Sequence, residues 1–223
     1  MIVAERKPLE EITGFVAGAK KVLVVGCRGC VTVCNAGGTK EVEILASLLR
    51  LNSQREGNPM DVDEHTMERQ CDPEFAEAFG EQLGRGHDVI LSMACSIGPQ
   101  FLSRRYPNER IFPALNTSFL GGALASGIWS EHCQACGNCV IHEFGGLCPI
   151  SRCAKSLLNG PCGGSENGRC EVSEETECVW QLIVDKMESN GRLEELSDPR
   201  LGKDWRTSRD GGPRKIARED LIK

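Results

Sequence analysis

The chain has 223 residues, of which 40% are hydrophobic and 5% aromatic, and a formal net charge of −6. That length allows one large domain or two small ones, and the charge argues against nucleic acid as the main partner. No run approaches the roughly 18–20 apolar residues of a membrane span.

The amino terminus, MIVAERKPLEEI, has no signal-peptide core, so a soluble cytoplasmic protein is expected. Ile12, Phe15, Val16 and Ala19 are spaced for a helix over residues 4–20. Val22-Leu23-Val24-Val25 reads as a strand buried on both faces, ended by Gly26. A Gly- and Cys-rich loop follows, then a helix from about Gly38 to Leu51 with Val42, Leu45, Ala46 and Leu49 on one side. A weak strand at 59–64, a helix at Pro73–Leu83, a strand at 88–93, a short helix at 99–105 and a strand at 111–115 continue the alternation. Pro113 lacks a ladder donor and marks that last strand as an edge or a bend. Strand–helix alternation of this kind predicts an α/β fold, a parallel sheet with flanking helices.

This α/β domain is expected to span 1–122, with a small linker at 123–130. A small irregular Cys-rich module at 123–190 follows. It ends in an amphipathic helix at 178–188, with Val179, Leu182, Ile183 and Met187 on one side. Residues 191–223 form an extended polar tail with turn signals at Asp198-Pro199 and Asp210-Gly211-Gly212-Pro213. Residues 200–223 hold eight basic and four acidic side chains around Trp205, which suits docking on a partner. The bland reading is a disordered tail.

Thirteen cysteines are far above ordinary usage for a cytosolic chain, where thiols stay reduced. An odd count also leaves one over in any full pairing, so metal ligation is favoured over disulfides. Cys27, Cys30 and Cys34 follow the first strand, Cys71 the weak second strand, and Cys95 the strand at 88–93. In a parallel sheet the carboxyl ends of all strands share one edge, where α/β proteins place their sites. These five cysteines should gather there, one more than a four-ligand site needs. Backbone N–H groups at Gly26–Gly29 and at Gly37-Gly38 are candidates to point at sulfur. Scattered core thiols are the alternative. A dinucleotide site is weak, because VVGCRGC lacks the glycine fingerprint.

The second half holds eight cysteines within Cys133–Cys178. Cys133, Cys136 and Cys139 have the C-x2-C-x2-C spacing of cubane clusters, with Cys148-Pro149 or Cys178 as the fourth ligand. Cys153, Cys162 and Cys170 remain as metal ligands, and together with Cys178 they would suffice for another site. Zinc is the alternative for either set, with His132 and His142 as flanking candidates. No acid/base constellation stands out. Glu131, Glu143 and Glu171 lie near cysteines, but nothing elevates them to catalysis.

The segments KVLVVGCRGCVTVCNAGGTKEVEILAS, RQCDPEF, LNTSFLGG, CQACGNC, LNGPCGGSENGRCEV and CVWQLI together resemble a known family. It is the small iron–sulfur subunit (MetV type) of methylenetetrahydrofolate reductase from acetogenic and related anaerobic bacteria. The second half is similar to the methylenetetrahydrofolate reductase C-terminal domain family. The resemblance implies an electron-transfer subunit with two [4Fe–4S] clusters that is not itself catalytic. It implies as partner an FMN-bearing TIM-barrel catalytic subunit, which reduces methylenetetrahydrofolate to methyltetrahydrofolate in the reductive acetyl-CoA (Wood–Ljungdahl) pathway. Ferredoxin or further electron-transfer subunits are candidate additional partners. Two other readings stay open: a zinc-stabilised assembly subunit without redox role, and an adaptor of another anaerobic redox complex.

Overall fold

A computed structural model describes residues 1–209 and 212–221. The chain divides into two compact units, Met1–Ser130 and Glu131–Lys223.

The first unit is built on a four-stranded parallel sheet in the order β3-β2-β4-β5. Its strands are β2 (Lys21–Cys27), β3 (Asp61–Met67), β4 (Val89–Met93) and β5 (Ile111–Pro113). Val22, Leu23, Val24 and Val25 of β2 are each 2% exposed or less. That burial is worth about 1.5–3 kcal/mol apiece. Side chains alternate across a strand, so Val22 and Val24 join one core while Leu23 and Val25 join another. The first core includes Leu45 and Leu49 of α3 (Thr39–Arg55). The second includes Phe79 of α4 (Pro73–Leu83) and Leu102 of α5 (Ile97–Arg105). β5 is an edge strand, as Pro113 requires.

Three expectations are corrected. The helix over residues 4–20 is instead strand β1 (Ile2–Arg6) followed by the seven-residue helix α1 (Leu9–Phe15). Pro8 has φ −51° and separates the two. A short helix, α2 (Cys30–Val33), lies inside the Cys-rich loop. The linker at 123–130 is strand: β6 (Leu115–Ala125) and β7 (Ile128–Cys133) are joined by the turn Ser126-Gly127 and form a second sheet in the order β1-β6-β7. Gly121 does not end a domain. A Cβ there would stand 1.9 Å from Ser130 O, so the close pairing of these strands needs glycine.

The second unit is poorer in regular structure. It holds α6 (Pro149–Arg152), the hairpin β8 (Arg169–Cys170) and β9 (Ser173–Glu177), and α7 (Val179–Ser189). Its core is small: Phe144, Cys178, Val179, Trp180, Ile183 and Met187. Phe144 and Trp180 meet edge to face at 5.5 Å. The polar tail is not featureless. Short 3-10 turns cover Leu193–Leu196, Trp205–Thr207 and Glu219–Leu221, whereas the turn signal at Asp210-Gly211 falls outside the described residues. No helix among the described residues is long and apolar enough to cross a membrane.

Candidate functional site

In the parallel sheet the strand order reverses between β2 and β4, because β2 leads outward to β3 and β4 leads the other way to β5. Crevices at such switch points hold ligands in open α/β sheets. β2 ends at Cys27, β4 ends two residues before Cys95, and Cys71 lies in the loop after β3.

Electrostatics show which thiols are neighbours. Burial pushes the Cys71 thiol up, and charge on Cys27, Asp72 and Cys30 pushes it further. Burial also pushes Cys95 up. The backbone N–H groups of Ile97 and Gly98 oppose that shift by bonding toward it, and charge on Cys71 and Cys27 adds to it. Cys71 thus lies within electrostatic reach of Cys27, Cys30 and Cys95, and Cys95 within reach of Cys27. Cys27 is buried, Cys30 and Cys95 are half-buried, and Cys71 is exposed, so Cys71 marks the open side.

Cys34 is the fifth, and the fold places it elsewhere. Its buried Sγ lies 3.6 Å from Ala4 O and 3.6 Å from Val31 O, as a thiol donating to carbonyls. It lines a separate cleft of about 650 Å3 with β1 and the start of α3.

The donors expected at the glycines are already engaged. Cys27 N donates to Gly37 O, Arg28 N to Met67 O and Gly37 N to Val31 O. Gly38 N donates to Glu41 Oε2 at 2.9 Å. In the first turn of α5 the Gly98 N–H is likewise engaged, donating to Cys95 O at 2.8 Å. What fixes Gly37 is contact: a Cβ there would stand 1.9 Å from Met93 O.

Sequence reading also missed Gln70. Fully buried, it donates Nε2 to Val25 O at 2.9 Å and Gly26 O at 3.2 Å, and its Oε1 accepts from Ser92 Oγ at 2.6 Å. This one amide ties the residue before Cys71 to the ends of β2 and β4. A buried polar side chain beside a cysteine was the available signal.

In the second unit, Cys133, Cys136 and Cys139 lie along the loop 133–139. Ala135 N donates to Cys133 Sγ at 3.3 Å, with Ala135 at φ +52°. The tail is tied to this loop, although Cys133 and Cys139 stay exposed. Thr207 Oγ1 donates to Cys136 O at 2.9 Å, Arg214 Nη1 donates to Ala135 O and Thr207 O, and Lys203 Nζ donates to Asn138 O. Cys148 is the N-cap of α6 and accepts from Ser151 N at 3.5 Å. A different set converges: Cys153, Cys162, Cys170 and Cys178 line one small cavity. Cys178 thus belongs with these three, and Cys148 is left as the candidate fourth partner of the loop cysteines.

His132 and His142 are exposed, and His142 lies 3.6 Å from Glu143. Glu143 pairs with Arg200 at 2.9 Å, and Glu171 pairs with Lys155. Among the described residues no three His, Cys, Asp or Glu side chains already stand in coordination geometry around one point. A tetrahedral single-ion site, with Zn–S near 2.3 Å, would need sulfurs roughly 3.8 Å apart.

No curated protein matches the chain. One solved structure with some likeness is an extracellular ligand-binding receptor from Verminephrobacter eiseniae, at 12% identity and TM-score 0.35. The match covers 47% of this chain and 28% of that one, and carries no functional argument. Residues 112–206, a little under half of the chain, match the family described as methylene-tetrahydrofolate reductase C terminal. That stretch contains all eight cysteines of the second half and none of the first five, so over its Cys-rich part the chain is similar to a methylenetetrahydrofolate reductase-related family.

Proposed function

We propose that this chain is the electron-transfer subunit of a methylenetetrahydrofolate reductase, holding [4Fe–4S] clusters and serving the FMN of a separate catalytic subunit. The observation that carries the electron-transfer reading is the quartet Cys27, Cys30, Cys71 and Cys95 at the sheet's switch point. The similarity over residues 112–206 supplies the reductase. A cluster bound by these thiolates would supply one-electron redox chemistry at a potential set by its surroundings.

The chain's own residues then have definite tasks. Cys27, Cys30, Cys71 and Cys95 are the proposed ligands, and Cys34 is not one. The N–H group of Ile97 favours negative charge on the Cys95 sulfur, which would raise a cluster's potential. Gln70 and Ser92 hold the Cys71 loop against the two strand ends. Cys71, on the exposed side, gives the site its shortest path to a partner. In the second unit Cys133, Cys136, Cys139 and Cys148 are the proposed second ligand set. Leu201 and Ile216 on the tail are 91% and 88% exposed, which suits docking on the catalytic subunit.

The test is anaerobic purification of the full chain with iron, zinc and sulfide quantification, and EPR of the reduced protein. Cys71→Ser should lose one cluster's iron and its signal, and Cys34→Ser should keep both. Zinc without iron in the wild type, or equal losses in the two variants, would overturn the reading. Co-purification with an FMN-bearing subunit, compared with a chain lacking residues 192–223, tests the docking role.

A further inference from the structure

We infer that the cleft between β1 and the start of α3 binds a small organic monoanion, a carboxylate on an apolar body. The cleft measures about 650 Å3, within the roughly 300–1,000 Å3 of small-molecule sites. Every residue that lines it lies in the first unit, so its walls come from one compact body. The inference is independent of the cysteine quartet and of the proposed electron transfer.

The walls offer more hydrogen-bond donors than the protein uses. β1 is an edge strand, paired with β6 alone. Lys7 N donates to Ala114 O at 3.0 Å, just beyond the Arg6–Leu115 pair of that ladder. By antiparallel alternation Lys7 and Glu5 turn their backbone groups toward β6, while Arg6 and Ala4 turn theirs to the free edge. Cys34 agrees, since its Sγ meets Ala4 O there. The Arg6 N–H therefore stands on the same side as Cys34, which lines the cleft. Trp129, on β7, lines the cleft as well, and its buried Nε1 has no partner among the described residues. A buried N–H left unpaired is rare and costly. A ligand acceptor would satisfy it.

Charge decides the class of ligand. Of the cations lining the cleft, Lys7 pairs with Glu11 at 2.7 Å, while Arg6 and Lys40 are exposed and have no ion pair among the described residues. Of the acids, Glu41 accepts from Gly38 N at 2.9 Å, and Glu5 is exposed. Arg6 and Lys40 against Glu5 and Glu41 leave the walls close to neutral. That balance suits one negative charge set between the two free cations and opposes the roughly two charges of a phosphate group. A carboxylate only accepts hydrogen bonds, which matches the surplus of donors. Leu9, Ile44 and the Trp129 ring supply apolar contact. Ile44 is 44% exposed, a large side chain that a ligand would cover.

The experiment titrates the full chain with naphthoate and, as its neutral counterpart, naphthalene methanol. Calorimetry reads affinity, and the indole N–H NMR signals of the three tryptophans read position, assigned through Trp129→Phe. Saturable binding of naphthoate with a Kd of about 1 mM or lower is expected, with the shift confined to Trp129. The alcohol, which lacks charge-assisted hydrogen bonds, should bind roughly tenfold more weakly. Arg6→Gln and Lys40→Gln, both at exposed positions, should each weaken naphthoate by roughly three- to fivefold, the worth of an exposed ion pair. Ile44→Glu sets a like charge in the cleft without touching the core and should weaken it by roughly tenfold. No saturable binding, a shift shared equally by Trp180 and Trp205, equal affinity for the alcohol, displacement of naphthoate by equimolar inorganic phosphate, or affinity unchanged in all three variants would each overturn the inference. Iron and sulfide content do not enter these measurements, so the cleft and the proposed electron-transfer function can fail independently.

Discussion

Gln70 and Ser92 offer a direct test of how the switch-point site is held. Both side chains are fully buried. Ser92→Ala removes one neutral hydrogen bond and leaves Gln70 Oε1 without its partner, which should cost about 1–2 kcal/mol. Gln70→Ala breaks three bonds, to Val25 O, Gly26 O and Ser92 Oγ, and leaves a void. A cost of about 3–4 kcal/mol is expected. The double variant should cost little more than Gln70→Ala alone, because the serine hydroxyl has already lost its acceptor. Native-state hydrogen exchange on peptides from β2 and β4 reads these differences locally. At 1.4 kcal/mol per tenfold, Gln70→Ala should speed exchange roughly a hundredfold to several hundredfold, and Ser92→Ala about tenfold. Costs that add to within about 0.5 kcal/mol would show the two residues uncoupled and refute the clamp.

Asp63 accepts from His87 Nε2 at 2.8 Å and lies 3.5 Å from Lys21 Nζ; the His87 hydrogen bond, aided by Lys21, holds its carboxyl below its usual range. A depressed carboxylate stabilises the fold above its ordinary pKa, and that contribution is lost as pH falls through the lowered value. Asp63→Asn should therefore flatten the acid side of a urea-midpoint profile below about pH 4, and identical slopes would refute the assignment. Arg214 bridges the tail to the Cys133–Cys139 loop through Ala135 O and Thr207 O. Arg214→Ala should speed backbone amide exchange in the 133–139 loop by roughly three- to tenfold, the worth of about 0.5–1.5 kcal/mol of hydrogen bonding, and unchanged rates would show the tail does not hold the loop.

The parallel sheet was legible because its central strand needs no context. Val22–Val25 is apolar at four successive positions, three of them β-branched, and is closed by Gly26, which suits a strand covered on both faces. From it, the placement of Cys27, Cys71 and Cys95 on one edge follows by topology alone. The identity of the odd cysteine was not legible, and the reason is specific. Cys27, Cys30 and Cys34 have the spacing of a ligand triad, and only the carbonyl of Ala4, together with that of Val31, marks Cys34 as different. Ala4 lies in β1, a strand that a short amphipathic pattern disguised as the start of a helix. Residues 115–133 misled in a similar way. Gly121-Gly122 reads as a domain end, but the glycine there serves a close strand approach. Long-range pairing decided both cases, and local propensity carries no record of it.

The two units also solve the ligand-placement problem by different physics. In the first, Cys27 closes β2 while Cys30, Cys71 and Cys95 stand beyond the strand ends, and two apolar cores hold the strands. In the second, cysteines sit on caps, a hairpin and loops around one small core. A unit of that size with so little apolar surface rarely stands on hydrophobic burial alone. The tail adds ties of its own, from Thr207 Oγ1 to Cys136 O and from Arg214 Nη1 to Ala135 O.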